Sequence, residues 1–138
     1  MIVIDGENCV LGRVATHVAK KALEGELVSI VNAEKMVIVG NERDIYQRYR
    51  DKFEIRNISK PEESPNISRR PDLFVKRTVR GMLPSHTSRR LDALHKIKAY
   101  IGVPKEFEGK GVKMFELKNT GMKHVTVDFI CKKVGWKG

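Results

Sequence analysis

Arginine is concentrated in one part of this 138-residue chain. Ten of the 11 arginines lie between residues 43 and 90, where 13 lysines and arginines stand against 6 aspartates and glutamates. A guanidinium group can bind two oxygens of one phosphate through parallel hydrogen bonds, and it keeps its charge at any physiological pH. After residue 90 the chain has ten lysines and no arginine. The segment 43–90 therefore predicts a phosphate-binding surface.

The residues that we assign to this surface are cations that flank a proline-containing stretch, together with one glycine among them. They are Arg43, Arg50, Arg69, Arg70, Lys76, Arg77, Arg80, Gly81, His86, Arg89 and Arg90. The glycine is included because a residue without a side chain lets a backbone or a phosphate approach closely. No RNA-recognition aromatic motif, KH loop, zinc finger or helix-turn-helix pairing accompanies these residues. Such a surface suits folded RNA that is recognised by its shape.

Residues 5–15 (DGENCVLGRVA) form the first turn after an apolar run, where a nucleotide-binding α/β protein would hold phosphate. Gly6 and Gly12 are separated by five residues, which matches neither a dinucleotide fingerprint nor a P-loop. We expect Gly6 to supply turn geometry, Gly12 to allow close helix packing, and Asp5 to be a turn residue. Nucleotide binding at this turn is therefore not predicted.

Catalytic and metal-binding patterns are also missing from the sequence. We find no nucleophile beside a base, no paired carboxylates and no cluster with metal-ligand spacing. Cys9 and Cys131 are far apart and are expected to be reduced thiols, and the four histidines are scattered. The residues therefore predict neither a cofactor nor a metal, and no small-molecule substrate.

Composition favours a folded domain with a polyanionic partner. A hydrophobic fraction of 41% is enough to bury a core, and a net charge of +10 indicates nucleic acid as the commonest partner for such a chain. An anionic membrane is a weaker candidate, since there is no long apolar span, lipidation signal or signal-peptide pattern. We expect a cytoplasmic protein.

Two apolar runs joined by an amphipathic stretch open the chain. Residues 1–5 (MIVID) and 27–31 (LVSIV) are rich in β-branched residues and predict buried strands. Between them one apolar stripe recurs at helical spacing, and Gly25 is placed to end the helix. The stripe consists of Leu11, Val14, Ala15, Val18, Ala19, Ala22 and Leu23. A strand, helix and strand in this order predict a right-handed βαβ unit and a parallel sheet covered by helices.

A third strand is predicted at residues 36–39 (MVIV), either as a hairpin partner of the second strand or as its neighbour. Asn41 is expected to cap the following helix, whose inner stripe is Ile45, Tyr49 and Phe53. Taken alone, the cations on the other faces of that helix are equally well explained as solvated surface charge.

The middle of the chain alternates irregular and helical stretches. Residues 57–72 contain three prolines and predict an extended loop. Asp72 is expected to cap a helix that ends near residue 83, and residues 85–90 (SHTSRR) predict a polar basic turn. Residues 97–101 (IKAYI) predict a short strand, the last of the sheet.

Residues 105–138 are interpreted as a C-terminal extension of a single α/β domain of residues 1–104. The run VTVDFICKKV within the extension could be a strand because it is β-branched. Thr126 as a cap and Gly135 as a terminator favour instead a short helix near residues 127–134.

Four sequence motifs, in this order, resemble the family of large-subunit ribosomal protein thirteen in its archaeal and eukaryotic-like branch. They are VIDGENCVLGRVA (3–15), VNAEKMVIVGN (31–41), VKRTVRGMLP (75–84) and IKAYIGVP (97–104). VRGMLP followed by a strand that ends in Tyr-x-Gly is the most specific of these features. Together the motifs cover about three quarters of the chain.

The resemblance implies a three-layer α/β/α fold with a four-stranded, mainly parallel sheet, and a structural role in binding large-subunit ribosomal RNA without enzymatic activity. It implies that the cations around VRGMLP contact RNA phosphate and sugar: Lys76, Arg77, Arg80, His86, Arg89 and Arg90. The C-terminal extension departs from the bacterial form of the family, and we expect it to contact a neighbouring ribosomal protein.

Two other functions remain open from the residues alone. One is a small α/β enzyme that acts on nucleotide or nucleic-acid phosphate, which would bind a soluble nucleotide saturably. The other is an RNA-binding regulator that uses the same surface away from the ribosome.

Overall fold

The structure is a computed structural model that describes residues 1–118 and 121–138. Within these residues the chain forms six strands and five α-helices, with short 3-10 turns at Ala33–Lys35, Pro61–Glu63 and Lys105–Phe107. In chain order the elements are β1 (Ile2–Asp5), α1 (Leu11–Leu23), β2 (Val28–Val31), β3 (Val37–Val39), α2 (Glu42–Glu54), α3 (Pro71–Met82), α4 (Ser88–His95), β4 (Ile97–Ala99), β5 (Val112–Lys113), β6 (His124–Thr126) and α5 (Val127–Lys133).

The central sheet has four parallel strands in the order β4, β2, β1, β5. Ile4 of β1 is opposite Ile30 of β2, and Ile30 is opposite Ala99 of β4. Because side chains alternate between the two faces of a strand, this register places the isoleucines of neighbouring strands on one face. The centre of that face is buried, with Ile4, Ile30 and Ile97 all 1% exposed or less.

Three helices cover the isoleucine face. The stripe of α1 is buried as predicted: Leu11, Val14, Ala15, Val18, Ala19 and Ala22. α1 packs on α3 and α4, and α3 also packs on β4. Gly25 follows α1 with a φ of +100°, a left-handed conformation that favours glycine and ends the helix. The predicted βαβ unit and parallel sheet are confirmed.

The second face of the sheet is covered by a smaller cluster. Val3 and Val31 point to this side and pack with Phe107, whose ring centroid lies 5.5 Å from that of Tyr100. Helices cover one face of the four-stranded parallel sheet, and the segment around Phe107 covers the other. This is the three-layer α/β arrangement that the sequence predicts.

Neither glycine near the first turn is explained by the role predicted for it. Gly6 begins the turn, since its carbonyl oxygen accepts a hydrogen bond from the Cys9 N–H, but its φ is not in the left-handed region that favours glycine. A Cβ on buried Gly6 would lie 2.7 Å from Cγ of Met36 and 3.0 Å from the carbonyl oxygen of Asn32, so Gly6 is required by close packing. A Cβ on Gly12 would meet nothing within 4 Å, so helix packing does not require that glycine. Asp5 is a turn residue as expected, since its Oδ1 accepts hydrogen bonds from the Glu7 backbone N–H and from Nδ2 of Asn32.

β3 joins neither of the partners that the sequence offered. It pairs antiparallel with β6, with Ile38 opposite Val125, in a separate two-stranded sheet. The prediction that residues 97–101 form the last strand of the central sheet is also wrong. β5 follows later in the chain and pairs in parallel with β1, with Ile4 opposite Val112.

Residues 105–138 contribute to the main core through α5. Ile130 and Cys131 are at most 1% exposed and belong to the same core as Ile4. The side chain of Thr126 accepts a hydrogen bond from the Phe129 backbone N–H, which is the capping bond that favours a helix here.

Two other expected caps are absent. Asn41 occupies the residue before α2, but its side chain makes no capping hydrogen bond. Asp72 lies in the first turn of α3 and not before it, because the helix begins at Pro71 with Arg70 at the cap position. Proline suits the first helical position, since its ring presets φ and its missing N–H leaves no donor unpaired.

Candidate nucleic-acid interface

Helix α3 divides its side chains between the core and the surface. Phe74, Val75 and Val79 are 5% exposed or less, and they fix the rotation of the helix against α1 and β4. Lys76 and Arg77 lie between Val75 and Val79 in the sequence, and Arg80 follows Val79. The packing of the apolar stripe therefore holds the three cations together on the opposite side of the helix.

A groove of about 210 Å³ lies along this outer side of α3. Lys76, Arg77 and Arg80 line it together with Leu73 and Leu94. Three cations in a shallow groove with apolar walls can bind phosphate oxygens while the aliphatic parts of the side chains contact a sugar.

A second groove, of about 520 Å³, continues from the first toward the beginning of α4. Arg80 and Leu94 line both grooves, and the second adds His86 and Arg90. His86 has a φ of +59°, and it is exposed in the turn between α3 and α4. We call the surface formed by Lys76, Arg77, Arg80, His86 and Arg90 the basic face.

The charges of the basic face have no internal partners. None of its five residues forms an ion pair with an acidic group in the part of the chain that the structure describes. A surface cation without an internal partner can neutralise a phosphate and release the cations condensed around the nucleic acid, which is the main source of salt-dependent affinity for nucleic acids. The basic face can therefore bind a polyanion without first breaking an internal ion pair.

Two of the predicted arginines are neutralised within the protein. Nε of Arg50 lies 2.7 Å from a Glu54 oxygen one helical turn later, and this hydrogen bond raises the pKa of the guanidinium. Nη2 of Arg70 lies 2.8 Å from Oδ2 of Asp72. The acidic residues at these short spacings were visible in the sequence, but their pairing was not predicted.

The remaining predicted residues occupy other places. Arg43 is exposed in the first turn of α2 and lines none of these grooves, and the same holds for Arg89 at the beginning of α4. The guanidinium of Arg69 lies 5.9 Å from the centre of the Phe53 ring and borders a groove of about 490 Å³ beside the loop 57–72. The structure thus brings five of the predicted residues together and leaves these three apart.

Gly81 lies on the other flank of α3, next to a groove of about 290 Å³ between α2 and α3. Tyr49, Lys52 and Phe53 of α2 line this groove with Arg77, so it adjoins the basic face. The sequence analysis assigned Tyr49 and Phe53 only to the core-facing stripe of α2, and it did not include Lys52 among the RNA-binding residues. The signal that could have identified them is the alternation of aromatic and cationic residues along α2.

The described residues offer little else for chemistry. Residues 1–118 and 121–138 hold no group of three or more histidines, cysteines or carboxylates that could bind a metal, and no helix among them is long and apolar enough to span a bilayer. Cys9 and Cys131 are free and buried, and burial raises the pKa of both thiols, that of Cys131 to about 12. Neither thiol is a reactive nucleophile.

Comparison with known proteins identifies the family of the chain. The model of the family described as Ribosomal protein L13 matches residues 1–106. Similar proteins named large ribosomal subunit protein uL13 occur in Methanosphaera stadtmanae, at 42% identity over 90% of this chain and 87% of the relative, and in Methanococcoides burtonii, at 41% identity over 99% of both. The relative of that name in Methanocaldococcus jannaschii is 38% identical, also over 99% of both chains. On these matches, which extend over nearly the whole chain, the protein belongs to the ribosomal protein L13 family.

Proposed function

We propose that this protein is a structural constituent of the large ribosomal subunit that binds large-subunit ribosomal RNA through its basic face. In this role it supports assembly of the subunit and translation. The family membership supports this assembly, and the arrangement of α3 and α4 supports this RNA-binding surface.

One observation favours the basic face over the rest of the arginine-rich segment. Its five residues line two connected grooves and have no ion pairs among the described residues, whereas Arg50 and Arg70 are held by carboxylates. An arginine that already pairs with a carboxylate must give up that pair to bind phosphate, so its net contribution to RNA binding is smaller. We therefore assign the main RNA contacts to the basic face, with Gly81 and Arg69 at its margin.

The proposed role is not enzymatic and needs no cofactor, metal or small-molecule substrate. Asp5 is the last residue of β1, and its carboxylate accepts hydrogen bonds from the Glu7 backbone N–H and from Nδ2 of Asn32, so it serves in a turn. The function of this family is structural, and the basic face binds phosphate by charge and shape rather than by chemistry.

We also propose that RNA binding and contact with a neighbouring protein use different parts of the chain. Residues 1–104 carry the RNA-binding surface, and residues 105–138, which also add β5 to the central sheet and α5 to the core, contact a neighbouring protein of the large subunit. Exposed apolar side chains in the extension support this assignment, since Val112, Phe115 and Met122 are 53%, 44% and 55% exposed. The proposed location is the ribosome in the cytoplasm.

Sedimentation of a cell extract through a sucrose gradient after a high-salt wash tests the proposal. Salt removes proteins that are held only by loose phosphate contacts. We expect the protein to stay in the large-subunit peak because shape as well as charge holds it. Recovery at the top of the gradient, together with saturable binding of a soluble nucleotide, would instead indicate an enzyme, and recovery there without such binding would indicate a free RNA-binding regulator.

A further inference from the structure

Helix α2 is weakly anchored to the protein. It has 13 residues, from Glu42 to Glu54, but only Ile45 is buried. Its two larger apolar side chains, Tyr49 and Phe53, are only half-buried. A helix normally buries its apolar stripe, whereas the outer part of the Tyr49 and Phe53 stripe stays accessible. The flexible cations Lys52 and Arg69 lie over these two rings.

The accessible side of this stripe forms one wall of the groove between α2 and α3. The buried ring of Phe74 in α3 packs directly against Tyr49, with the ring centroids 4.8 Å apart at an interplanar angle of 52°, and it lies at the floor of the groove. The groove volume of about 290 Å³ lies at the lower end of the range for ligand pockets, roughly 300–1,000 Å³. This size suits one flat ring and excludes a nucleic-acid helix.

The edges of the groove are positively charged. Nζ of Lys52 lies 5.2 Å from the centre of the Tyr49 ring, and Arg77 reaches the groove from α3. The residues that line the groove include these two cations and no acidic residue. The two cations therefore favour an anionic occupant, and the rings of Tyr49 and Phe53 favour a planar one.

The groove has an open side and a hydrogen-bond donor for such an occupant. A Cβ on Gly81, in the last turn of α3, would meet no atom within 4 Å, so the side of the groove at this residue is open. Burial raises the pKa of Tyr49, which keeps its hydroxyl protonated at physiological pH, and that hydroxyl donates to no acceptor within residues 1–118 and 121–138. It is available as a donor to a base or to a phosphate.

We propose that the groove between α2 and α3 binds a single unpaired nucleotide of the large-subunit RNA. The base stacks on Tyr49 and Phe53, and its phosphate lies between Lys52 and Arg77. Stacking of unpaired bases on aromatic side chains beside cations is the common way in which proteins hold single-stranded RNA. The inference rests on the proposed function and adds to it a contact that phosphate binding by the basic face does not provide.

The variant Gly81→Leu tests this inference by filling the groove. The helix accepts the change, because φ of Gly81 is ordinary and leucine is a better helix former than glycine. Gly12→Leu is the matched control, since Gly12 is also an exposed helical glycine whose Cβ would meet no atom within 4 Å, but it lies on α1 outside the groove. Each full-length protein is bound to purified large-subunit ribosomal RNA, irradiated at short wavelength, and digested, and fragments with an attached nucleotide are identified by mass spectrometry.

We expect the wild type and Gly12→Leu to cross-link through Tyr49 or Phe53. Gly81→Leu should lose this cross-link and bind the RNA on the order of tenfold more weakly, the loss that one stacked base represents. Equal affinity of Gly81→Leu and the wild type, or no cross-link to α2 in the wild type, would overturn the nucleotide site and leave the basic face intact. If Gly81→Leu binds free RNA as the wild type does but is depleted from the large-subunit peak of the sucrose gradient, the nucleotide site is overturned and the groove is assigned to a protein partner. Failure of the wild type to bind the RNA would remove the proposed function as well.

Discussion

Residues 1–42 and residues 43–90 use their charged side chains in different ways. The first region has 4 lysines and arginines against 6 acidic residues, and the second has 13 against 6. In the first region charges pair within the protein, as in the ion pairs of Lys21 with Glu24 and of Lys35 with Glu7. In the second region Arg50, Lys60 and Arg70 also pair with acidic neighbours, but the basic face has no ion pairs among the described residues.

The same contrast appears in packing. α1 buries six residues against the sheet and against α3 and α4, whereas α2, of the same length, buries one. The first region therefore supplies much of the core, and the second presents cations and half-buried aromatic side chains to the outside. This separation indicates that folding stability and RNA binding should respond to substitutions in different regions.

The largest expected effect is the loss of RNA binding when Arg77→Gln and Arg80→Gln are combined. Each arginine can form hydrogen bonds to phosphate, and the loss of both should weaken binding by about 3 kcal/mol, roughly a hundredfold in Kd. The slope of log K against log salt should fall by roughly 0.9 for each duplex phosphate that the variant no longer binds. Filter binding of large-subunit RNA over a series of salt concentrations measures both quantities, and thermal unfolding should stay within about 0.5 kcal/mol of the wild type.

A matched control for this pair is Arg43→Gln combined with Arg50→Gln, which removes the same net charge. Arg43 lines none of the grooves of the basic face, and Arg50 already pairs with Glu54. The control should lose less than about threefold in affinity, the scale of a general electrostatic effect. Equal losses in the two double variants would show that RNA binding depends on total charge, and the distinction between the basic face and the rest of the segment would be wrong.

The next effect is on stability and arises from Gly6 in the first region. Gly6→Ala places a methyl group against Met36 and against two backbone carbonyls at 3.0 Å, which cannot move as a flexible side chain can. We expect a loss of about 2 kcal/mol in the free energy of unfolding, or roughly 8 °C in Tm. Calorimetry measures this, and the affinity for RNA should not change at temperatures where the variant is folded.

Gly12→Ala is the counterpart of that variant, because a Cβ on Gly12 meets nothing. Alanine is preferred over glycine within a helix, so Gly12→Ala should raise stability by about 0.5 kcal/mol. If both alanine variants destabilise the protein equally, the packing difference between the two glycines does not exist in solution.

These two glycines also illustrate what the sequence could not reveal. Their spacing excluded the two phosphate-binding loops, but it did not show that close packing requires glycine at position 6 and not at position 12. The reason is that Gly6 is required by Met36 and Asn32, which reach it from a later part of the chain. Local spacing predicts where a turn occurs, and only tertiary packing decides which glycine is indispensable.

Strong local periodicity made the first elements predictable, whereas short strands were not. The stripe of α1 and the β-branched runs before and after it predicted the parallel unit, since each covers several residues with one pattern. β5 has two residues and β6 three, too few for a period, and each pairs with a strand that is distant in sequence. Their places in the sheets are decided by long-range packing.

The candidate site shows the same limit. The arginine density identified α3 and its neighbourhood, and the structure brings five of the predicted residues together in the basic face. The sequence did not separate these from Arg50 and Arg70, whose charges are held by Glu54 and Asp72. Local spacing permits such pairs, but whether a side chain uses its carboxylate neighbour depends on what else surrounds it.

The smallest expected effect concerns acid stability and links the first region to the C-terminal extension. The carboxylate of Glu7 lies 2.9 Å from Nζ of Lys113 and 3.2 Å from Nζ of Lys35, and these bonds, chiefly that with Lys113, lower the pKa of Glu7. A carboxyl whose folded pKa lies below its unfolded value of roughly 4.3 stabilises the protein above that pH. The contribution is lost as the pH falls through the folded pKa. Glu7→Gln should therefore be slightly less stable than the wild type at pH 7 and should show a smaller loss of stability on acidification, with urea midpoints as the measure.

Because Glu7 is exposed to solvent, the difference between Glu7→Gln and the wild type at pH 7 should shrink as salt is added. Glu108→Gln is the matched control, since Glu108 is exposed and pairs with no cation in residues 1–118 and 121–138, so its removal should leave the midpoint unchanged at every pH and salt concentration. RNA affinity should be the same in both variants, because neither residue lies on the basic face. A change in RNA affinity with Glu7→Gln would mean that charge in the first region reaches the RNA, and that stability and binding are not separated between the two regions.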